Sequence, residues 1–174
     1  NSNTTIFSSV RYGNVIASRG SFIPLWLEMI KDGQELRVTS EEMTRFLFTL
    51  DDAVDAVTSA LSASIGGEVF VPQINSYTLP SCIKALETIL GMKAKTKVTG
   101  LRPGEKLHED MLAKTELDYT YKVPDINLLQ IRPQYTKKTY QDWELYKGSE
   151  FNSALYVSND NVELIDLITR GLKC

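Results

Sequence analysis

The chain has 174 residues, of which 43% are hydrophobic and 24% charged, and its formal net charge is −3. This composition predicts one globular domain, or one domain plus part of another, and the negative charge argues against a general nucleic-acid-binding surface. Two cysteines, Cys82 and Cys174, and one histidine, His108, provide neither a disulfide framework nor zinc-site spacing. No apolar run approaches a membrane span of about 20 residues and no signal pattern opens the chain, so we expect a cytoplasmic protein.

Strands and helices are predicted to alternate through the first hundred residues. Strands are expected at residues 6–12, 36–39, 46–50, 68–72 and 95–100, and helices follow the first, third and fourth of these. Asp51 and Thr78 are predicted N-caps. The residues expected on the buried faces of the three helices are Phe22, Leu25, Trp26, Met29 and Ile30; Val54, Val57 and Leu61; and Leu79, Ile83, Leu86 and Leu90.

The remainder of the chain carries weaker patterns. A short helix is expected at residues 107–113, and residues 114–153, which include five tyrosines, are expected to be irregular or extended. A final helix is predicted at 161–170, with Val162, Ile165 and Ile168 on its buried face. The first strand has no preceding element to pair with, so the chain is expected to begin within a fold.

The stretch "TGLRPGEKLHED", residues 99–110, has the chemistry of a tight turn. Pro103 sets the first central φ angle of a type II turn, and Gly104 accepts the positive φ of the second. Arg102 and Glu105 would then project from its two ends. In one interpretation Arg102 pairs with a nearby carboxylate while Glu105 opens a helix; in the other the turn presents Arg102 to an anion.

Two further arginine-bearing loops accompany this turn. Arg19 stands just before a helix, where anions are favoured, and Asn14 follows a strand, where its amide faces either a ligand or its own backbone. Arg45 precedes an apolar run and is either a ligand contact or a solvated surface cation. Three such loops together favour an anion site, whereas His108 and Cys82 are expected to be structural.

Four segments in order carry a resemblance to a known family: "RYGNVIASRGSFIP", "EMTRFLFTLDDAVDAV", "GGEVFVP" and "GLRPGEKLHE". They resemble the second half of the extended short-chain dehydrogenase/reductases, and among these the nucleotide-sugar 4,6-dehydratases of capsular, O-antigen and flagellar glycan biosynthesis. The resemblance implies an α/β fold, with the C-terminal piece of a Rossmann-like domain and a smaller α/β substrate-binding domain. It is strong over residues 10–112 and weaker afterwards.

The resemblance also implies roles for particular residues in binding a UDP-sugar. Arg102 would face the diphosphate or nucleotide, Glu105 would accept from ribose hydroxyls, and Asn14 would contact the substrate. Arg19 and Arg45 would contact its phosphates, and the backbone of Val15, Ile16, Ala17 and Ser18 would lie along the nicotinamide side of an NADP cofactor. UDP-N-acetylglucosamine is the expected substrate, and a homo-oligomer is the expected assembly of the complete enzyme.

The catalytic groups of that family precede the matched segments. The sequence contains neither G-x-G-x-x-G nor Tyr-x-x-x-Lys, so the chain is expected to lack the Gly-rich cofactor loop and the catalytic helix and to be inactive alone. Residues 1–122 would hold the end of the Rossmann-like domain and the substrate-binding domain. Residues 123–174 would form a lid or an oligomer contact. A UDP-sugar 4-epimerase, another extended family member and a non-catalytic nucleotide-binding module are the alternatives.

Overall fold

The computed structural model of the chain describes residues 5–136 and 138–173. These residues form short strands, four α-helices and one 3-10 helix. In chain order the elements are β1 (Ser9–Val10), β2 (Asn14–Val15), α1 (Phe22–Lys31), β3 (Glu35–Val38), β4 (Thr44–Phe48), α2 (Leu50–Ala63), β5 (Val69–Pro72), β6 (Ser76–Thr78), α3 (Leu79–Leu90), β7 (Lys95–Val98), β8 (Asp110–Leu112), the 3-10 helix (Lys114–Tyr119), β9 (Thr120–Lys122), β10 (Leu128–Ile131), β11 (Phe151–Asn152) and α4 (Asn161–Gly171).

The chain divides into two compact units, each assembled from separate stretches of sequence. The first unit contains the described parts of residues 1–12, 51–73 and 110–151, and the second those of residues 13–50, 74–109 and 152–174. The chain therefore passes between the units several times. The functional division into residues 1–122 and 123–174 stays a prediction.

The first unit is built on a four-stranded sheet in the order β1-β5-β10-β9. Strand β1 runs parallel to β5, whereas β10 is antiparallel to both β5 and β9. The expected strand at residues 6–12 is therefore shorter than predicted, because only Ser9 and Val10 pair with β5 and the next paired residues belong to β2.

Helix α2 contradicts its predicted buried face. The large residues Val54 and Leu61 are 52% and 74% exposed, and Val57 is also exposed. The buried residues are instead Ala53, Ala56 and Ala60. Small side chains let a helix approach a sheet closely, and here Ala56 and Ala60 pack with Phe70, Val123 and Leu128. Asp51 lies in the first turn of α2, which begins at Leu50, and is not its N-cap.

The second unit contains the sheet β2-β4-β6, the parallel pair β3-β7, and helices α1, α3 and α4. Its core includes Ile23 from α1, Leu36 from β3, Leu86 from α3 and Ile168 from α4. The predicted cap of α3 is confirmed, because the Thr78 hydroxyl accepts from the backbone N–H of Ser81 at 3.1 Å. The predicted site residues Asn14, Arg19, Arg45, Arg102 and Glu105 all belong to this unit.

Cys82 is a core residue, as expected. Its side chain is fully buried, and burial raises the pKa of the thiol to about 12. The neutral thiol therefore packs as a small apolar group.

Helix α4 also turns a different face inward than predicted. Val162 is exposed, Ile165 is only partly buried, and Leu164, Leu167 and Ile168 are buried. Both sets satisfy helical spacing, so the sequence pattern does not choose between them. The choice follows from Gly171, where a Cβ atom would lie 2.6 Å from Ile16 Cγ2, so the glycine permits close approach of α4.

The predicted helix at residues 107–113 is wrong, because residues 110–112 form strand β8, which pairs with β11. The Leu107 carbonyl accepts from the Thr44 N–H, and the Glu109 N–H and carbonyl bond the Ser153 hydroxyl and N–H. These long-range partners occupy groups that a helix would use internally.

The segment at 114–153 is more ordered than predicted, since it contains the 3-10 helix, β9 and β10. Strand β10 lies between β5 and β9 in the sheet of the first unit. None of the helices in the described part of the chain is long and apolar enough to span a membrane.

Candidate functional site

The turn at Arg102–Glu105 has the geometry that its sequence predicts. The Glu105 N–H donates to the Arg102 carbonyl at 3.0 Å, and Gly104 adopts a φ of 82°, which a type II turn requires at that position. A Cβ on Gly104 would meet no atom within 4 Å, so the need for glycine there is conformational and not steric. The turn therefore sets the backbone positions from which the Arg102 and Glu105 side chains project.

The two ends of the turn are held very differently. The Glu105 carboxylate accepts from the Arg102 N–H at 3.2 Å and from the Thr39 hydroxyl at 3.4 Å, which fixes it beside the end of β3. The Arg102 side chain is exposed, and within residues 5–136 and 138–173 its guanidinium has no hydrogen bond or ion pair. The turn thus anchors the carboxylate and leaves the cation available to an anion.

The Arg45 side chain is hydrogen-bonded to the loop that follows this turn. Its guanidinium donates to the carbonyls of Thr44, Leu107 and Lys106 at 2.8, 3.2 and 3.0 Å, and its Nε lies 3.6 Å from a Glu109 carboxylate oxygen. Only 14% of the Arg45 side chain is exposed. The structure supports a positioning role for Arg45, and its phosphate contact stays a prediction.

A buried hydroxyl cluster holds the same loop from its other side. The Thr44 hydroxyl lies 2.8 Å from His108 Nδ1 and 2.6 Å from the Ser153 hydroxyl. Ser153 in turn accepts from the Glu109 N–H at 2.8 Å, and Thr44 and Ser153 are almost fully buried. His108 therefore has a structural contact, but from a loop and not from the predicted short helix.

The first predicted loop leaves polar atoms without partners. Strand β2 is parallel to β4 with Asn14 opposite Leu47, and the Asn14 Oδ1 atom is buried without a hydrogen bond. The Ser21 hydroxyl at the start of α1 is also buried and unbonded. Buried acceptors are normally satisfied, so each of these atoms is suited to a water or a ligand donor. Arg19 is exposed and, among the described residues, has no partner.

Residues 15–18 differ in exposure, since Ile16 is buried whereas Ser18 is exposed. Ile16 is buried in the core of the second unit, and its N–H donates to the Phe48 carbonyl at 2.9 Å. Ala17 adopts a φ of 63°, which is uncommon for a residue with a side chain. A cofactor contact by the backbone of these residues is what the resemblance implies, and it stays a prediction.

A cleft of about 560 Å³ lies beside Arg102 in the second unit. Arg102 is the one predicted site residue that lines it; Asn14, Arg19, Arg45 and Glu105 do not. The cleft is also lined by Arg37, which the sequence reading missed. The sequence does contain a pattern that indicates the exposure of Arg37: polar and apolar residues alternate in "ELRV", which places Arg37 on the exposed face of β3.

Comparison with known proteins places the chain in a family. The model of a family described as polysaccharide biosynthesis protein matches residues 1–131. The chain belongs to this family. Curated relatives include proteins named UDP-glucose 4-epimerase from Rickettsia akari, 42% identical over 126 residues, and Rickettsia canadensis, 40% identical over 129 residues. These matches cover 69% and 70% of the chain but only 37% and 38% of the relatives, so the chain spans less than half of their length.

Solved structures show the same fold. The structure of Pen from Bacillus thuringiensis superposes with a TM-score of 0.83 at 29% identity and covers 99% of this chain and 52% of that one. A UDP-glucuronic acid 4-epimerase from Bacillus cereus, solved with a fluorinated UDP-sugar and NAD, has a TM-score of 0.52 at 21% identity, covering 57% of this chain and 34% of that one. The expected α/β, Rossmann-like fold class is confirmed.

Proposed function

We propose that this chain forms the substrate-binding portion of an enzyme that modifies a UDP-sugar. The observation that carries the proposal is the turn Arg102–Glu105, which fixes a carboxylate and leaves a guanidinium unpaired beside a cleft. A planar guanidinium binds phosphate oxygens in pairs, and a fixed carboxylate accepts from neighbouring hydroxyls. A nucleoside diphosphate sugar offers both groups on one molecule.

The relatives support the same substrate class. Proteins named UDP-glucose 4-epimerase match more than two thirds of this chain at 40–42% identity. The family description, polysaccharide biosynthesis protein, supports a place in glycan synthesis. The proposal extends to the longer relatives only through the part that this chain shares with them.

Within this class we favour a 4,6-dehydratase acting on UDP-N-acetylglucosamine in capsular, O-antigen or flagellar glycan biosynthesis. Its support is the run of four motifs ending in "GLRPGEKLHE". A UDP-sugar 4-epimerase is the second candidate, because that is the printed name of the relatives from Rickettsia. Both reactions use the same nucleotide-binding turn, so the geometry of the second unit is compatible with either.

A nicotinamide cofactor follows from the same resemblance, with NADP expected and NAD present in the Bacillus cereus enzyme. This chain has no G-x-G-x-x-G loop to receive a pyrophosphate, and the N–H groups of Ile16 and Ser18 already donate within the chain. The backbone of residues 15–18 therefore fits a cofactor only in part, because at least two of its four N–H groups are already bonded. Asn14 and Arg19, with an unsatisfied amide oxygen and an unpaired guanidinium, are proposed substrate contacts.

Calorimetric titration of the 174-residue chain with UDP tests the substrate class. We expect modest UDP binding that weakens by about 1.5 to 3 kcal/mol on Arg102→Ala, the range for a charge-assisted hydrogen bond. Lys173→Ala, which removes an equal charge near the end of the chain, is the control and should leave binding unchanged. If Arg102→Ala left the affinity for UDP unchanged, the proposed site would be wrong.

Mass spectrometry of the products of the full-length gene product separates the two reactions. A dehydratase releases a nucleotide sugar that has lost one water, whereas an epimerase product has the mass of its substrate. We expect loss of water from UDP-N-acetylglucosamine. A product of unchanged mass and altered stereochemistry would favour the epimerase, and absence of any product would leave the non-catalytic module as the better description.

A further inference from the structure

The first unit has a cleft of its own, which none of the predicted UDP-sugar contacts lines. It has a volume of about 440 Å³ and lies between the C-terminal end of α2, the loop that joins β9 to β10, and the chain around Trp143. None of the described residues that line it is charged. Its polar lining residues are Ser59, Ser62, Ser64 and Gln141, and the others are apolar.

The indole of Trp143 forms a fixed wall of this cleft. Its Nε1–H donates to the Gln141 Oε1 atom at 2.9 Å, and its backbone N–H donates to the Gln141 carbonyl at 3.0 Å. The guanidinium carbon of Arg132 lies 5.3 Å from the ring centre, and the partly buried ring packs against the core of the first unit. A side chain that is already fixed loses little conformational entropy when a ligand binds.

The polar groups of the cleft offer both acceptors and donors. The hydroxyls of Ser62 and Ser64 already donate, to a helix carbonyl and to the Glu68 carboxylate, each at 3.0 Å, so their lone pairs remain as acceptors. Among the described residues, the Ser59 hydroxyl and the Gln141 amide nitrogen have no hydrogen-bond partner. A ligand hydroxyl both donates and accepts, so it matches this set of groups.

The lining also indicates which ligands the cleft does not suit. A phosphate or carboxylate would lose part of its hydration without gaining a cation. A wholly apolar ligand would cover the hydroxyls and the amide without satisfying them. A sugar ring avoids both costs, because one face presents C–H groups while hydroxyls surround its edge. The C–H groups carry partial positive charge, and the face of an indole ring is negative, so the two stack.

We propose that this cleft binds an uncharged saccharide, with one sugar ring stacked on Trp143 and its hydroxyls bonded to Ser59 and Gln141. The volume lies within the usual range of small-molecule sites, about 300 to 1,000 Å³. The proposal does not rest on the proposed function, because the cleft belongs to the first unit and the predicted UDP-sugar contacts belong to the second. The cleft recognises a sugar ring without a nucleotide.

NMR titration of the isotope-labelled 174-residue chain tests the proposal, with the methyl glycosides of glucose, galactose and N-acetylglucosamine as separate probes. The chain has two tryptophans, Trp26 and Trp143, and the indole signal lost in Trp143→Phe is that of Trp143. At least one glycoside should shift this signal saturably, with a dissociation constant of about 1 mM, while the Trp26 signal stays unchanged. Absence of a saturable shift with all three glycosides would overturn the proposal.

Two further uncharged probes separate a saccharide site from a less specific cleft. Sorbitol offers hydroxyls without a ring, and cyclohexanol offers a ring face with a single hydroxyl. Each should bind at least about fivefold more weakly than the best glycoside, because each lacks either the stacking or most of the hydrogen bonds. Equal binding of sorbitol or of cyclohexanol would overturn the proposal.

Substitutions on α2 provide a matched pair. Ser59→Ala should weaken glycoside binding about twofold to tenfold, the range for one hydrogen bond. Thr58→Ala removes an exposed hydroxyl from the preceding residue, which does not line the cleft, and should change the affinity by less than about 1.5-fold. An equal effect of the two variants would contradict the Ser59 contact and with it the proposal.

Replacement of the indole tests the stacking. Trp143→Leu keeps an apolar side chain but removes the aromatic face, so the affinity, followed by the backbone signal of Ser59, should fall more than about tenfold. Urea unfolding of the same variant reports any loss of core packing. If Trp143→Leu destabilises the first unit, Ser59→Ala decides the test, because it changes only a partly exposed hydroxyl. Unchanged affinity in Trp143→Leu would overturn the proposal.

Saturating UDP distinguishes this site from the proposed function. UDP and the substitution Arg102→Ala should both leave the glycoside-dependent shift of the Trp143 signal unchanged. If UDP displaced the glycoside, the two ligands would share one site and the separate saccharide site would be wrong. If the glycoside bound as expected while UDP did not bind, the saccharide site would stand and the proposed function would fail.

Discussion

Single arginines in this chain acquire their roles from the groups that surround them. Arg45 and Arg102 were both predicted to contact phosphate from similar loop contexts. Arg45 instead donates to three carbonyl oxygens, whereas Arg102 has no partner in the described part of the chain. A guanidinium satisfied by protein acceptors is less available to a ligand than one surrounded by water. The residue type therefore identified both arginines as candidate phosphate contacts, and their hydrogen-bond partners in the structure favour Arg102 over Arg45.

The ion pair between Arg11 and Glu116 predicts a pH effect on stability. Its two hydrogen bonds measure 2.7 and 2.8 Å, and hydrogen bonding to Arg11 lowers the pKa of Glu116 below its ordinary value. A lowered pKa means that the stabilisation is present above the unfolded-state pKa and is lost as pH falls through the folded-state pKa. At neutral pH, Glu116→Gln should reduce the free energy of unfolding by about 1 kcal/mol, because both side chains are partly exposed.

Urea unfolding at neutral and acidic pH measures this effect. The difference between the wild-type chain and Glu116→Gln should shrink as pH falls, since protonation of the wild-type Glu116 carboxylate makes it neutral, as the glutamine side chain already is. Glu144→Gln serves as the control because its pair with Lys122 is mostly exposed, and it should change stability by less than about 0.5 kcal/mol. A difference that is independent of pH would contradict the pairing.

At the level of elements, α2 shows how a helix can bury its smallest residues. Two stripes share helical spacing, one of alanines and one of larger apolar residues, and the chain buries the alanines. Burying the larger stripe would gain more apolar area, but α2 packs against Phe70 and Leu128 from neighbouring strands. Close approach to those side chains favours a helix face without bulk.

Paired substitutions on α2 test this orientation. Ala60→Leu should destabilise the 174-residue chain by about 1 to 3 kcal/mol, because Ala60 is almost fully buried and the added volume overpacks the contact. Leu61→Ala, one residue along and mostly exposed, should cost less than about 0.5 kcal/mol. Chemical denaturation measures both. If Leu61→Ala lowered the free energy of unfolding more than Ala60→Leu, the face predicted from the sequence would be the buried one.

At the scale of the whole molecule, residues 132–136 and 138–150 belong to the first unit and have little regular structure of their own. Arg132 is one of their anchors: the guanidinium carbon lies 3.7 Å from the centre of the Tyr121 ring and 4.9 Å from that of Tyr140. The group also donates to Gln130 and to the Gln141 carbonyl at 2.9 and 2.8 Å. Burial lowers the pKa of Arg132, but these contacts satisfy the charge.

Loss of this anchor should release the segment. Arg132→Met removes the cation and its donors, and we expect a cost of about 1 to 2 kcal/mol and faster chymotrypsin cleavage at tyrosines such as Tyr135 and Tyr140. Mass analysis of the fragments over time provides the measurement. Arg132→Lys, which keeps the charge without the planar fork, should be intermediate. Unchanged cleavage in Arg132→Met would show that other contacts hold the segment.

Features that depend on neighbouring residues could be predicted before the fold was known. The Pro103-Gly104 pair specified the type II turn, Thr78 specified the start of α3, and apolar spacing located α1, α3 and α4. These features follow from backbone geometry and from hydrogen bonds within a few residues, which one stretch of sequence encodes completely. The motif run also led to the family and to the fold class.

Features that depend on distant residues could not be predicted in this way and are seen in the folded chain. The strand at 110–112, the buried faces of α2 and α4, and the partners of Arg45 all arise from contacts between segments far apart in the chain. Arg37 illustrates the same limit, since it lines a cleft together with Arg102, 65 positions later. Local sequence patterns are compatible with several such pairings. Packing and the need to satisfy hydrogen bonds in the folded chain select one of them.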